Sequence, residues 1–261
     1  MNILDKIIAD KTKEVRLKKA LLPAKQLERF GLVDRNIRSL KASLLGRPIG
    51  IIAEHKRRSP SRAVINQGCS VAEVVTGYDR AGAAGISVLT DGKYFGGSLE
   101  DLLLARGSTD LPLLRKEFII DPYQLLEARA FGADAILLIA AVLPQKTLQS
   151  LCRQAQQIGL EVLLEVHDLR ELEASLDAGA DMIGVNNRNL KTFEVDLDTS
   201  RNLLPHIPAA VGSISESGLG RPEELLELSA SGYNGFLMGE SFMKEKDPGS
   251  ALAALLKSLQ K

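Results

Sequence analysis

Lysines and glutamates stand at the ends of apolar runs along this chain. The run IGIIAE (49–54) closes on Glu54 with Lys56 two residues on, and PLLRKEF (112–118) carries Lys116. EVLLEVH (161–167) holds Glu165, and AGADMIGVNN (178–187) brings Asn186, with Arg188 just beyond. Residues two apart in a strand share a face, so Glu54 aligns with Lys56, Lys116 with Phe118, and Asn186 with Arg188. His55, Arg115 and Glu117 point the other way. One such residue would be a solvated rim charge; several on matching parity describe a site for proton transfer. Desolvation and a cation such as Lys56 would lower the Lys116 pKa, whereas Glu54 or Glu165 would oppose that shift. A lysine so placed suits a general acid. A structural ion pair with Glu54 or Glu165 is the alternative, and the two roles are compatible.

Two further loops invite an anion. SESGLGRPEEL (215–225) and MGESFMK (238–244) each put Gly and Ser ahead of a helical pattern. Backbone N–H groups at helix starts bind phosphate, although Gly-Ser turns also cap helices with no ligand. The phosphate reading assigns Ser217, Gly218, Gly239, Glu240 and Ser241. His167-Asp168 could belong to a metal site or a triad, but DLRE (168–171) is also a capping box of Asp168 and Glu171. No cluster has metal-ligand spacing, so no metal is expected.

A scaffold must aim these strand ends at one place. Gly82, Gly132, Gly179 and Gly232 open similar turn-then-apolar segments spaced by 50, 47 and 53 residues. Each period contains a second β-like run, from the set IGIIAE, PLLRKEF, EVLLEVH and AAVGSIS (209–215). Helical patterns such as YQLLEARAFGA and PEELLELSASGY lie between and end in glycine-containing turns. Eight strand–helix units without hairpin signals predict an α/β fold, a (β/α)8 TIM barrel with a parallel sheet. The absence of G-x-G-x-x-G argues against a dinucleotide-binding sheet. In such barrels chemistry occurs where strands finish. Only the fourth run, ending near Ala140, offers no charge there. Residues 1–48 read as an N-terminal helical extension to a barrel over 49–261, within one domain. That extension would either plug the barrel floor or form a flap near the site.

With 261 residues, 45% hydrophobic and 25% charged, the chain buries a large core. Its 33 basic and 33 acidic residues cancel, so no nucleic-acid partner is expected. Cys69 and Cys152 suit a reducing compartment better than a disulfide framework. Without a signal peptide or a long uncharged apolar run, the expectation is a soluble cytoplasmic protein with no membrane partner. It is expected to be a monomer, with a weak homodimer as the alternative.

Taken in order, IIAEHKRRSPS, ISVLTDGKYFGGSLEDL, PLLRKEFIIDPYQ, ADAILLIAAVL, LLEVHD, IGVNNRNLKTFEVDL, SESGL and FLMGESFMK resemble the indole-3-glycerol phosphate synthase family across nearly the whole barrel. The Glu-x-Lys-x-x-Ser-Pro-Ser and Asn-x-Arg-Asn-Leu-Lys-Thr-Phe motifs are the most specific part. The resemblance implies ring closure of 1-(2-carboxyphenylamino)-1-deoxyribulose 5-phosphate with loss of CO2 and water, and no cofactor. It implies Lys116 as general acid, Glu165 and Glu54 as carboxylates that stabilise the cationic intermediate, and Lys56 as second acid or anion partner. Asn186 would hold substrate hydroxyls, Arg188 the anthranilate carboxylate, and Phe95 and Phe118 the aromatic ring. Ser59 and Glu216 join the substrate-binding set. Two departures stand out: RAVINQ follows SPS where Lys-Gly is usual, and His55 replaces a commonly apolar residue, with no catalytic role expected. A phosphoribosylanthranilate isomerase would need a Cys/Asp pair, and neither cysteine sits at a strand end. A non-catalytic phosphometabolite-binding barrel is the rival from another class; the presence of Lys116, Glu165 and Glu54 argues against it.

Overall fold

Residues 3–60, 62–190 and 192–260 are described by a computed structural model. Ser61 and Lys191 of the two most specific motifs lie outside the described residues, as do residues 1 and 2 of the extension. Three helices come first: α1 (Ile3–Leu21), α2 (Ala24–Leu27) and α3 (Leu40–Leu45). The alternating part begins with β1 (Gly50–His55), α4 (Val71–Ala81), β2 (Gly85–Leu89), α5 (Gly92–Phe95), α6 (Leu99–Ser108), β3 (Leu113–Lys116) and α7 (Pro122–Ala130). It continues with β4 (Ala135–Ile139), α8 (Gln145–Gln157), β5 (Glu161–Val166), α9 (Leu169–Ser175), β6 (Met182–Asn186) and α10 (Asp198–Leu203). Last come β7 (Gly212–Glu216), α11 (Pro222–Ser231), β8 (Gly235–Met238), α12 (Glu240–Met243) and α13 (Pro248–Ser258). The strands pair in parallel in chain order and β8 returns to β1, closing the expected barrel.

The glycine repeat has a local cause. Gly82, Gly132, Gly179 and Gly232 sit immediately before β2, β4, β6 and β8, each with φ between 73° and 125°. L-residues with a Cβ avoid that region, so glycine ends the incoming helix and turns the chain inward. Helix starts are equally explicit. Ser70 and Glu73 form a capping box at α4, and Asp121 with Gln124 forms one at α7.

Inward rows run from apolar to charged. Ile52 precedes Glu54, Leu114 precedes Lys116, Leu163 precedes Glu165, and Ile214 precedes Glu216; the apolar members belong to one buried cluster. Leu40 and Leu44 of α3 join that cluster and plug the barrel floor. A Cβ on Gly85 would overlap Leu40 and one on Gly50 would overlap Leu44, so these strand glycines make room for the plug.

The extension reaches both ends of the barrel. While α3 fills the floor, Ile3, Leu4 and Ile7 of α1 line the pocket at the opposite end. Charge ties α1 there. Lys11, only 2% exposed, reaches Asp91 at 3.0 Å and Glu117 at 3.0 Å, and donates to Glu14 at 2.8 Å. Burial disfavours its charge, but Glu117 and Asp91 outweigh that and hold its pKa above the ordinary lysine value. Farther along, Lys18 lies 3.3 Å from Glu127, which also pairs with the fully buried Arg115 at 2.5 Å.

Removing one partner from such a buried set leaves uncompensated charge. Lys11→Met should lower unfolding free energy by roughly 3–5 kcal/mol, read from urea denaturation. An unchanged midpoint would show that α1 docks through its apolar face alone.

Candidate active site

Each proposed site residue from the sequence borders one pocket at the strand C-termini. Glu54, Lys116, Glu165 and Glu216 come from the four odd-numbered strands. Alternate strands supply one interior layer of such a barrel, and the layer is ordinarily four bulky apolar side chains. Here it is three carboxylates and an ammonium.

Lys116 Nζ donates to Glu216 Oε2 at 2.5 Å and stands 3.3 Å from Glu165 Oε2. The side chain is 14% exposed. Desolvation pulls its pKa down, as its apolar setting suggested, but Glu216, Glu165 and Glu54 overcome the effect, and the net shift is upward. The carboxylates divide in their response. Burial raises the Glu216 pKa and Lys116 only partly reverses this, so with Glu165 adjacent its carboxyl is pushed up to about 7. Glu165 is also desolvated, yet Lys116, His167 and Asn186 hold it well below the usual carboxylate range. Of the two carboxyls beside Lys116, Glu216 is the one that takes a proton at neutral pH. Its Oε1 is buried without a hydrogen-bond partner among the described residues. It lies over Gly184, where a Cβ would collide with it.

A second pair sits on β1, where Lys56 Nζ lies 2.7 Å from Glu54 Oε1. Gly239 faces Glu54, and a Cβ there would crowd its side chain. Phe95 and Phe118 face each other with ring centroids 5.9 Å apart, tilted by 41°. Arg188 donates to the Phe193 carbonyl at 3.1 Å, and its own N–H to Asn186 Oδ1 at 3.0 Å. Ser59 borders the same space beside Pro60.

One of the two glycine–serine loops differs from the expectation. Helix α11 starts at Pro222, beyond Ser217 and Gly218. Those two residues form a left-handed turn instead, with φ of 68° and 76°, and turns of successive N–H groups make anion-binding concavities. A serine in that conformation is strained, and Asn187 holds it there. The buried Asn187 amide donates to the carbonyls of Glu216 at 3.0 Å and Ser217 at 3.1 Å. Helix α12 does begin at its loop, and Ser241 Oγ in its first turn is buried with no hydrogen-bond partner among the described residues. The Glu240 carboxylate points to Arg62 at 2.8 Å, so only its backbone could serve a phosphate.

Sequence reasoning passed over Asn187, Phe193 and the α1 residues. Parity placed Asn187 on the outward face, and nothing in the residue types marks the φ of 62° at Phe193. The DLRE signal is half realised. Asp168 caps α9 by accepting from the Glu171 N–H, but the Glu171 side chain turns back to His167. His55 faces away from the pocket, and burial together with Arg57 pushes its pKa down to about 4, leaving it neutral. No group of three His, Cys, Asp or Glu among the described residues is placed to hold a metal.

Comparison with known proteins now decides the family. The family model for indole-3-glycerol phosphate synthase matches residues 4–255. The chain is 47% identical to the indole-3-glycerol phosphate synthase of Bacteroides thetaiotaomicron, over 99% of both chains. It belongs to the indole-3-glycerol phosphate synthase family. A second relative with that name, from Laribacter hongkongensis, is 45% identical over 97% of this chain and 98% of its own. Solved structures give the fold alone. A tryptophan synthase α-subunit from Pyrococcus furiosus superposes with TM-score 0.61 at 16% identity, covering 81% of this chain and 97% of that one. A thiamine phosphate pyrophosphorylase from the same organism gives TM-score 0.61 at 17% identity, covering 85% and 98%. As a member of this family the protein is a decarboxylating lyase of tryptophan biosynthesis. It closes the ring of 1-(2-carboxyphenylamino)-1-deoxyribulose 5-phosphate to give indole-3-glycerol phosphate.

The raised Glu216 pKa carries a stability signature for this synthase. Folded Glu216 keeps its proton until about pH 7, whereas an unperturbed glutamate releases it near 4.5. The contribution of Glu216 to folding stability therefore falls as pH rises through that window. Glu216→Gln should lose less stability than wild type across it, measured by denaturant midpoints on either side. Carbon-13 NMR of the glutamate carboxyls should show one group titrating near 7 that vanishes in the variant.

Proposed function

We propose that the reaction runs on the charged layer, with Lys116 as the general acid. The observation that carries this reading is the position of Lys116 Nζ in the pocket, 2.5 Å from Glu216 and 3.3 Å from Glu165; those carboxylates shift its pKa upward and favour the ammonium. It protonates the substrate ketone as the aromatic carbon bearing the carboxylate attacks it. The ring nitrogen then carries positive charge, and Glu165, held ionised, stabilises that cation together with Glu54. Loss of CO2 returns the electron pair to the ring. Glu165 and Glu54 next take a proton from the ring CH2 beside nitrogen and direct it to the hydroxyl, which leaves as water while the C–H electrons form the ring double bond. Glu216, titrating near working pH, restores the proton on Lys116 at low cost.

The remaining residues hold the substrate. Arg188 takes the anthranilate carboxylate until it leaves, and Phe95 and Phe118 grip the aromatic ring. Asn186 and Ser59 bind the sugar hydroxyls, while Lys56 neutralises substrate anion or serves as second acid. Ser217, Gly218, Gly239, the Glu240 backbone and Ser241 take the phosphate. The synthase works without a cofactor, as a cytoplasmic monomer with no nucleic-acid partner, residues 1–48 forming an extension of its one domain. Supporting this, its charges balance, and no described helix is long and apolar enough to cross a membrane.

Indole fluorescence on mixing protein and substrate tests the assignment. The chain has no tryptophan, so the background is clean. Wild type should produce signal, and Lys116→Ala should lower kcat by about 10²- to 10⁴-fold, the usual worth of a general acid. Signal of equal rate from both proteins would move the acid to Lys56. No signal from wild type would overturn the reading.

A further inference from the structure

His167 leaves β5 two residues after Glu165 and turns to the same side. Its ring is clamped between two carboxylates. Nε2 lies 3.3 Å from Glu165 Oε1, and Nδ1 lies 3.0 Å from Glu171 Oε2 on α9. Glu171 also accepts the backbone N–H of His167 at 2.8 Å, so one carboxylate oxygen holds both the root of the residue and its near ring nitrogen. Only 12% of the side chain is exposed.

This arrangement gives each Glu165 oxygen its own cation. Oε2 faces Lys116 and Oε1 faces His167. The division matters because Lys116 is shared and lies closer to Glu216, at 2.5 Å against 3.3 Å. Without His167, the ionisation and orientation of Glu165 would depend on Asn186 and on a lysine already committed elsewhere. We propose that His167 is the positioning residue for Glu165, an imidazolium anchored by Glu171 that fixes one carboxylate oxygen and leaves the other to Lys116 and the substrate. This rests on the reading of Glu165 as the carboxylate that takes and returns protons.

The electrostatics agree with the geometry. Burial alone would discharge His167, but Glu165 and Glu171 reverse that and hold its pKa up at about 10. Those two are the charged groups facing it. The titratable groups around Glu165 are His167 on its own strand exit, Lys116 from β3 and Glu216 from β7, with Glu54 of β1 acting on the latter two. Replacing His167 by a neutral residue removes one cation from Glu165. Its pKa then rises, and activity that needs the ionised form disappears at a higher pH on the acid side.

His167→Gln keeps a donor without the charge. It should lower kcat by about tenfold to a hundredfold, the range for misplacing a reacting group, with KM little changed, and move the acid limb of the kcat profile to higher pH. Glu171→Gln, which loosens the anchor and leaves His167 in place, should shift the limb the same way by less. An unchanged kcat and acid limb in both folded variants would overturn the proposal. So would a fall in kcat with no movement of the limb, since a merely structural role leaves the titration where it was. Glu165→Gln run beside them separates the two levels. Full activity there sinks the reading of Glu165 itself; loss of activity there with normal His167 variants sinks only the positioning role.

Discussion

A single ammonium in the barrel interior sets the terms for everything around it. Lys116 replaces an apolar member of the uppermost layer, and an ion in that place must be matched or discharged. Matching it takes Glu216 and Glu165 from two other odd strands. Each carboxyl of the layer in turn has a basic side chain beside it: Lys56 by Glu54, His167 by Glu165, Lys116 by Glu216. The result is a nearly neutral polar layer standing on an apolar one. Such prearranged dipoles and charges favour a developing cation without having to reorganise when it forms.

The same logic of compensation extends outside the barrel wall. Arg115 and Glu117 flank Lys116 in sequence and point outward, where Arg115 meets Glu127 and Glu117 meets Lys11 of α1. One short strand thus carries two charge systems, one on each face. The inner system faces the pocket, and the outer one docks the helix whose apolar residues wall that pocket. Alternation of side chains along a strand makes this possible in three consecutive residues.

Much of this was legible in the sequence, for a physical reason. Strand parity is strict, so Glu54, Lys116, Glu165 and Asn186 could be placed on one face from spacing alone. The glycine repeat likewise exposed the double period of the barrel. What stayed hidden was direction and backbone strain. The amphipathic pattern of residues 3–21 shows that a face is buried but not which barrel end buries it; Lys11 finds Asp91 and Glu117 only once the fold is closed. The left-handed Ser217 and the buried Asn187 that holds it leave no mark in residue type. His167 was visible but ambiguous, because the helix-capping pattern that follows it accounts for Asp168 while its own partner Glu171 turns back toward the strand.

The aromatic wall of the pocket is built from Phe95 and Phe118, and the chain as a whole contains no tryptophan. Two phenyl rings give the pocket a flat apolar surface. Translation of these 261 residues therefore draws on none of the tryptophan whose synthesis the family serves.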